Sequence, residues 1–227
     1  ISSTKLLVTK FKMKKKVIII DYGVGNIQSL KMIFEKLNID AILTKDEQEI
    51  SKAKYIILPG VGAFGGAMKK IKEFKLDKYL RKAADNKANI LGICLGAQLL
   101  MTKSEEFGNN DGLNLIPGEV KKILNKDNAK KNNIKLPHIG WSEIYKSNNL
   151  ENNQEKLLKE IDTKDYFYFI HSYICLTKNN FHQLYYTKYS NLEIPAIIGY
   201  NNVFGCQFHP EKSGKSGIKL MKNFINL

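Results

Sequence analysis

Ile90-Leu91-Gly92-Ile93-Cys94-Leu95-Gly96-Ala97-Gln98 is an apolar run broken at a cysteine, with a glycine two residues to either side of it. The run reads as a buried strand that carries a thiol to the edge of a sheet, with a helix starting directly behind it. A turn this tight leaves little room for side chains, and Gly92 and Gly96 relieve the crowding. A sulfur at a helix N-terminus faces the positive end of the backbone dipole, which favours thiolate over thiol. A cysteine buried only for packing needs neither glycine, so the spacing points to a nucleophile elbow.

Working outward from this run, short apolar stretches alternate with helical periodicity. Residues 17–20, 41–43, 55–58 and 89–93 read as strands. Ile27, Leu30, Ile33, Phe34 and Leu37 fall at helical spacing, and further helices are expected around 67–71 and 76–86. Continuous apolar strands alternating with helices imply a parallel sheet covered on both faces. Such sheets place their sites at the carboxyl ends of strands, where Asp21, Pro59 and Cys94 fall. Past Gly118 the texture changes to short runs rich in aromatic and β-branched residues, at 120–124, 141–145, 166–170, 184–187, 197–200 and 203–208. These predict antiparallel additions to the same sheet, with a turn at Asn201-Asn202 and a last helix at 215–224. The polar stretch 147–164 reads as a variable loop or short helix. The expected fold class is a single-domain α/β protein with a mixed, largely parallel sheet and helices on both faces.

A thiolate needs a base. The chain has four histidines, and His209 stands in Val203-Phe204-Gly205-Cys206-Gln207-Phe208-His209-Pro210-Glu211-Lys212-Ser213, a strand that ends in His-Pro-Glu. Proline stops the strand, so the imidazole and the carboxylate two residues on can share one sheet edge. Glu211 can accept the second ring N–H and fix the tautomer, the third role in a nucleophile–base–orienter set. The Leu95 N–H, just past Cys94, is a natural donor to a developing oxyanion, and Pro59-Gly60-Val61-Gly62 offers a second.

Gly92-Ile93-Cys94-Leu95-Gly96 together with Phe208-His209-Pro210-Glu211 resembles the triad-type (class I) glutamine amidotransferases, of flavodoxin-like fold. Asp21-Tyr22-Gly23-Val24-Gly25-Asn26, Leu58–Phe64, Pro137-His138-Ile139-Gly140-Trp141, His171-Ser172-Tyr173 and Lys212-Ser213-Gly214 are similar to the glutaminase subunits of imidazole glycerol phosphate synthase. The motifs run in family order from about Met13 to the C-terminus. Ala97 departs from the pattern, which usually has a larger apolar residue there.

The resemblance implies Cys94, His209 and Glu211 as catalytic residues, and Leu95 with Val61 or Gly62 as oxyanion donors. It implies Gln98, Glu106, His171, Ser172 and Tyr173 as the glutamine site, although Glu106 could instead be a solvated helix end. It implies a heterodimer with a (β/α)8-barrel cyclase subunit (HisF-like), with Asn26, Trp141 and Lys212 at or near the interface and a cation–π contact between Lys212 and Trp141. The ammonia released would serve conversion of PRFAR to imidazole glycerol phosphate and AICAR in histidine biosynthesis, with no cofactor and no metal. A paralogous glutaminase feeding a sugar-amination enzyme, and a γ-glutamyl cysteine hydrolase, are the competing readings.

Composition agrees. A chain of 227 residues can bury one substantial core. Three cysteines, one of them reactive, fit a reducing cytosol rather than a disulfide framework, so the expected location is cytoplasmic. No apolar stretch approaches the roughly 18 residues that span a bilayer. The net charge of +14 is carried almost wholly by lysines scattered among asparagines, and Arg81 is the single arginine, so it does not indicate nucleic-acid recognition. Residues 1–12 carry no structural pattern and read as a non-native or disordered extension ahead of a start at Met13, with the amidotransferase domain at 13–227.

Overall fold

The computed structural model describes residues 14–147, 152–162 and 165–227; the extension expected at 1–12 and the start at Met13 lie outside the described residues. The first half runs β1 (Lys16–Ile20), α1 (Ile27–Lys36), β2 (Asp40–Thr44), α2 (Glu47–Ser51), β3 (Tyr55–Leu58), α3 (Phe64–Glu73), α4 (Leu76–Asp85), β4 (Asn89–Ile93) and α5 (Leu95–Leu99). The second half runs β5 (Met101–Ser104), β6 (Asn110–Asp111), β7 (Ile116–Lys122), α6 (Lys126–Lys131), β8 (His138–Glu143), β9 (Tyr145–Lys146) and α7 (Asn152–Leu157). It ends with β10 (Tyr166–His171), β11 (Tyr173–Thr177), β12 (Gln183–Tyr189), β13 (Leu192–Tyr200), β14 (Val203–Cys206) and α8 (Gly214–Phe224).

The main sheet has the order β2-β1-β3-β4-β14-β13-β12-β9. Pairings from β2 to β14 are parallel, and those from β14 to β9 are antiparallel. Alternate residues of each central strand enter different cores, which is why the strands read as unbroken apolar runs. Val17, Ile19, Ile57 and Leu91 face Leu30, Phe34, Leu220 and Phe224 of α1 and α8. Ile18, Ile20, Ile56 and Ile90 face Phe64, Met68, Ile71 and Leu80 of α3 and α4. Each such side chain removed from water contributes about 1.5–3 kcal/mol, so the two faces together, not helix propensity, hold the layers in place.

The expectation that every late strand extends the main sheet is corrected. Only β9 and β12–β14 join it. β7 instead enters a four-stranded sheet of order β11-β7-β5-β6, and β8 pairs with β10 as a two-stranded antiparallel ribbon. The ribbon's inward side explains the separation, since Phe167 meets Phe208 at 4.2 Å in a tilted pair and Phe169 meets it edge-on at 5.5 Å, anchoring the ribbon over the strand end before His209. Its outward residues Ile139, Trp141, Tyr166 and Ile170 stay exposed. In the polar stretch around 147–164, α7 is a short helix whose Leu157 is buried with Leu158 and Ile161 beyond it; residues 148–151 and 163–164 lie outside the described residues.

Candidate active site

β4 and α5 meet at Cys94, whose backbone takes φ 51° and ψ −108°. Such a conformation costs a non-glycine residue on the order of 1–3 kcal/mol and persists only where the surroundings over-determine it. Here they do. Cys94 N–H donates to Cys206 C=O at 2.8 Å, and Gln98 N–H donates to Cys94 C=O at 3.2 Å. A Cβ on Gly96 would lie 1.9 Å from the Leu58 carbonyl oxygen, and one on Gly92 would lie 2.6 Å from the Gly96 backbone. The glycines are therefore demanded by the seating of α5 on the ends of β3 and β4. Ala97 is buried, and its methyl would lie 2.8 Å from a Cβ on Gly205, so a small residue on α5 faces a glycine of β14.

The turn after β14 holds the base. His209 N–H donates to Tyr168 C=O at 2.9 Å, and the Ser213 hydroxyl donates to His209 C=O at 2.6 Å. The His209 Nδ1–Glu211 Oε1 distance is 2.7 Å, with both side chains 3 % exposed. A carboxylate only accepts, so Nδ1 carries the proton and Nε2 is the nitrogen left to interact with Cys94. Burial disfavours the imidazolium, but the hydrogen bonds to Cys94 and Glu211 outweigh it and raise the pKa to about 9. At neutral pH the ring is a charged donor beside the sulfur.

Around this pair opens a cleft of about 460 Å3 lined by Val61, Gly62, Leu95, Gln98, Glu106, His171, Ser172, Tyr173 and Lys212 together with Cys94 and His209. Gly62 sits at φ +98° with no atom within 4 Å of its Cβ position, a free, glycine-type conformation at the cleft edge. The buried Tyr22 hydroxyl donates to Pro59 C=O at 2.5 Å and fixes the root of that segment. Glu106 is not a solvated helix end: it follows β5, and its Oε2 accepts from Phe64 N–H at 2.6 Å, at the N-terminus of α3. Gln98 Nε2 donates to Tyr173 C=O at 3.1 Å and to Gln207 Oε1 at 3.3 Å.

The His171 ring is buried and committed, with Nδ1 2.9 Å from Tyr173 C=O and Nε2 3.0 Å from His138 Nδ1. Burial lowers His171 to about 3, and burial lowers His138 to about 4. The unfolded chain therefore binds more protons than the folded one between about pH 6.5 and pH 4, and stability falls as pH drops through that window. The raised pKa of His209 acts oppositely: its contribution is full below about pH 6.5 and is lost as pH rises to about 9. Denaturant titrations across pH should give maximal stability near neutrality, with a loss of a few kcal/mol on the acid side. A flat profile from neutrality to pH 4 would contradict the buried neutral histidines.

The sequence reading missed Gln207, whose Nε2 lies 3.8 Å from the Cys94 sulfur. The signal was a single polar residue in the apolar run Phe204-Gly205-Cys206-Gln207-Phe208, flanked by two residues that enter the core on the opposite side. The Lys212–Trp141 contact is also corrected. Lys212 Nζ lies 5.7 Å from the Tyr168 ring, and Trp141 meets the same ring edge-on at 5.9 Å. Cross-strand pairing of Tyr168 with Trp141 puts Tyr168 between the two. Trp141 is 55 % exposed, not core. Asn26 is the N-cap residue of α1 and its side chain makes no capping bond, while the Pro210–Lys212 turn packs against α1 and β10.

A strained cysteine at a helix start, paired with a carboxylate-oriented imidazolium in a cleft lined by Val61, Gly62 and Leu95, is an arrangement suited to acyl transfer through a thioester. The chain belongs to the class-I glutamine amidotransferases, whose family pattern matches residues 18–227. Solved structures agree on the fold: PurLQS from Thermotoga maritima aligns at TM-score 0.67 and 19% identity over 94% of this chain and 99% of that one. A glutamine amidotransferase from Thermotoga maritima aligns at 0.62 and 17% over 93% and 81%. Within the class the chain groups with the HisH subunits of imidazole glycerol phosphate synthase. That of Lactococcus lactis subsp. lactis (strain IL1403) is 42% identical over 93% of this chain and 98% of its own length. That of Geobacillus sp. (strain WCH70) is 40% identical over 92% and 95%.

Proposed function

We propose that this chain is the glutaminase subunit of an imidazole glycerol phosphate synthase, supplying ammonia for histidine biosynthesis. The observation that carries the reading is Cys94 and His209 meeting in one cleft, with Glu211 buried behind the imidazole, in a chain 42% identical to a HisH subunit over 98% of that subunit's length. The Cys94 thiolate attacks the side-chain carbonyl carbon of glutamine. Negative charge then develops on the carbonyl oxygen, facing the Leu95 N–H and a donor from the Val61–Gly62 segment. Removing one such donor typically costs about 2.7–4 kcal/mol of transition-state stabilisation. The His209 imidazolium gives its Nε2 proton to the departing nitrogen, the C–N bond breaks, and ammonia leaves a γ-glutamyl thioester. Water then attacks the thioester, His209 takes its proton, and the C–S bond breaks to release glutamate.

Gln98, Glu106, Ser172 and Tyr173 hold the amino-acid end of the substrate. The Gln98 nitrogen is spent on the protein, so its oxygen is the atom left for the substrate ammonium, with the Glu106 carboxylate adding charge. The His171 ring is likewise spent, so its contribution comes through backbone and through holding Tyr173. Rate should fall above about pH 9 as His209 loses the proton needed by the leaving group, and a glutaminase rate that stays level from pH 8 to pH 10 would contradict its assignment as the acid.

Free ammonia in water at neutral pH is mostly ammonium and useless as a nucleophile, so a dedicated glutaminase gains by docking on its consumer. The partner is a (β/α)8-barrel cyclase subunit (HisF-like) that converts PRFAR to imidazole glycerol phosphate and AICAR, in a cytoplasmic heterodimer. No helix among the described residues is long and apolar enough to cross a membrane. The exposed ribbon face with Trp141, flanked by Lys212 and Asn26, supports docking at the cleft mouth. The HisH relatives favour this partner over a sugar-amination enzyme, and a lone γ-glutamyl hydrolase leaves the ribbon without a use. Trp141→Ala is expected to weaken partner-stimulated glutamine hydrolysis by about 10-fold or more while shifting the unfolding free energy by less than about 1 kcal/mol, because the ring is 55 % exposed and meets Tyr168 edge-on. Rate against partner concentration, set beside a denaturant midpoint, checks both; lost stability with unchanged stimulation would return Trp141 to a purely structural role. The test of the function itself is to purify the chain with the cyclase and compare glutamine with ammonium salts as nitrogen source; synthesis from ammonium alone, with no glutamine use, would refute it.

A further inference from the structure

The Cys94 sulfur has a second neighbour besides His209, and its orientation is not free. Gln207 Nε2 lies 3.8 Å from Sγ and Gln207 is buried. An amide side chain can present either its NH2 or its C=O, and the two have opposite effects on a thiolate. The choice is made elsewhere. Tyr173 C=O can only accept, so the Gln98 amide must turn its nitrogen toward it, at 3.1 Å. The second hydrogen of that nitrogen goes to Gln207 Oε1 at 3.3 Å, which leaves Gln207 Nε2 for the sulfur.

The same carbonyl fixes two histidine tautomers. His171 Nδ1 donates to Tyr173 C=O, so its bare Nε2 must accept from His138 Nδ1 at 3.0 Å. His138 Nε2 is then bare and accepts from the Ser142 hydroxyl at 3.1 Å. A proton gained by His171 would set N–H against N–H, one gained by His138 would turn the Ser142 hydroxyl from donor to acceptor, and burial keeps both rings neutral at working pH. The chain therefore has a single proton arrangement, running from strand β8, whose other side carries the exposed Ile139 and Trp141, to the reacting sulfur.

We propose that Gln207 is a further catalytic residue, an N–H donor that holds and stabilises the Cys94 thiolate, with its orientation locked by the Tyr173 carbonyl through Gln98. The inference rests on the reading of Cys94 as nucleophile. An N–H directed at the sulfur favours the anion over the thiol and opposes the Ile170 carbonyl 3.9 Å away, which can accept only from the thiol form. A carbonyl in the same place would repel it.

The test is the pH dependence of Cys94 alkylation by iodoacetamide in the full chain, with the modified peptide quantified by mass spectrometry between about pH 5 and pH 10. Burial raises Cys175 and Cys206 well above an ordinary thiol, so they stay unreactive and Cys94 is read alone. Gln207→Met keeps the volume and removes the donor; it should move the alkylation midpoint up by about one pH unit and lower kcat for glutamine by about 10-fold with KM little changed. Gln207→Glu should move it further, since an oxygen replaces the N–H. Gln98→Met, which unlocks Gln207, should move the midpoint in the same direction by less. Midpoints equal to wild type in both Gln207 variants, with cooperative unfolding intact, would overturn the donor; a shift with Gln207→Met but none with Gln98→Met would overturn the lock. If Cys94→Ala still hydrolysed glutamine, the underlying reading would fail instead, so the two failures are told apart.

Discussion

Replacing Cys94 with alanine is expected to eliminate glutamine-dependent synthesis, by at least about 10^4-fold, while synthesis from ammonium salts by the assembled enzyme stays near the wild-type rate. The sulfur is needed to form the thioester that releases ammonia and for nothing after it. The methyl of alanine fits wherever the thiol does, so the elbow and the docking ribbon should survive. His209→Ala should be nearly as severe, because without a charged donor the leaving nitrogen departs as an anion. Glu211→Gln should leave roughly 10- to 100-fold more activity than His209→Ala, since an amide oxygen can still accept from Nδ1 although the imidazolium loses its counter-charge. Steady-state rates with each nitrogen source measure all three. Glutamine turnover retained in Cys94→Ala, or equal rates across the series, would contradict the assignment.

Gly96→Ala is expected to cost about 3–5 kcal/mol of stability, or to abolish folding, although it adds one methyl group. The Cβ would fall 1.9 Å from the Leu58 carbonyl oxygen and 2.9 Å from its carbon, both backbone atoms of a central strand with no rotamer to escape into. Relief requires α5 to lift from β3, which moves Leu95 N–H and Cys94 together. The matched control is Gly66→Ala in α3, exposed and with nothing within 4 Å of the new carbon. There the same change should be neutral or stabilising by up to about 1 kcal/mol. Denaturant midpoints of the two variants decide it, and a Gly96→Ala protein as stable as wild type would mean that α5 does not sit on β3 as described.

The central half of the fold was legible because its physics is local. Strands such as 55–58 and 89–93 bury both faces and so read as unbroken apolar runs, and the glycines at 92 and 96 record a close approach that only a hydrogen atom permits. The late strands were legible as strands but not as to which sheet they join. Pairing partners of β8 and β10 depend on Phe167 and Phe169 reaching Phe208, a contact between residues about forty positions apart that no periodicity encodes. β5, β11 and the short α2 and α6 went unread for a related reason, being brief elements stabilised by neighbours more than by their own pattern. At the site, Cys94, His209 and Glu211 could be placed because Cys94 directly follows β4 and the His-Pro-Glu run marks the turn after β14. Gln207 could not, since its meaning depends on Gln98 and Tyr173 arriving beside it. The Lys212 cation–π contact was displaced from Trp141 to Tyr168 because cross-strand pairing puts Tyr168 between them, a matter of register rather than sequence proximity.

The central claim is that this cleft releases ammonia from glutamine for a docked cyclase. The direct measurement is to give the chain and its cyclase partner glutamine labelled with heavy nitrogen at the side-chain amide, together with PRFAR and an excess of unlabelled ammonium at neutral pH, and to read the isotope in the imidazole product by mass spectrometry. The account predicts product carrying the glutamine label almost undiluted by the surrounding ammonium, and no label with the Cys94→Ala chain. Product whose label matches the bulk ammonium pool, or label incorporated equally well by Cys94→Ala, would contradict it.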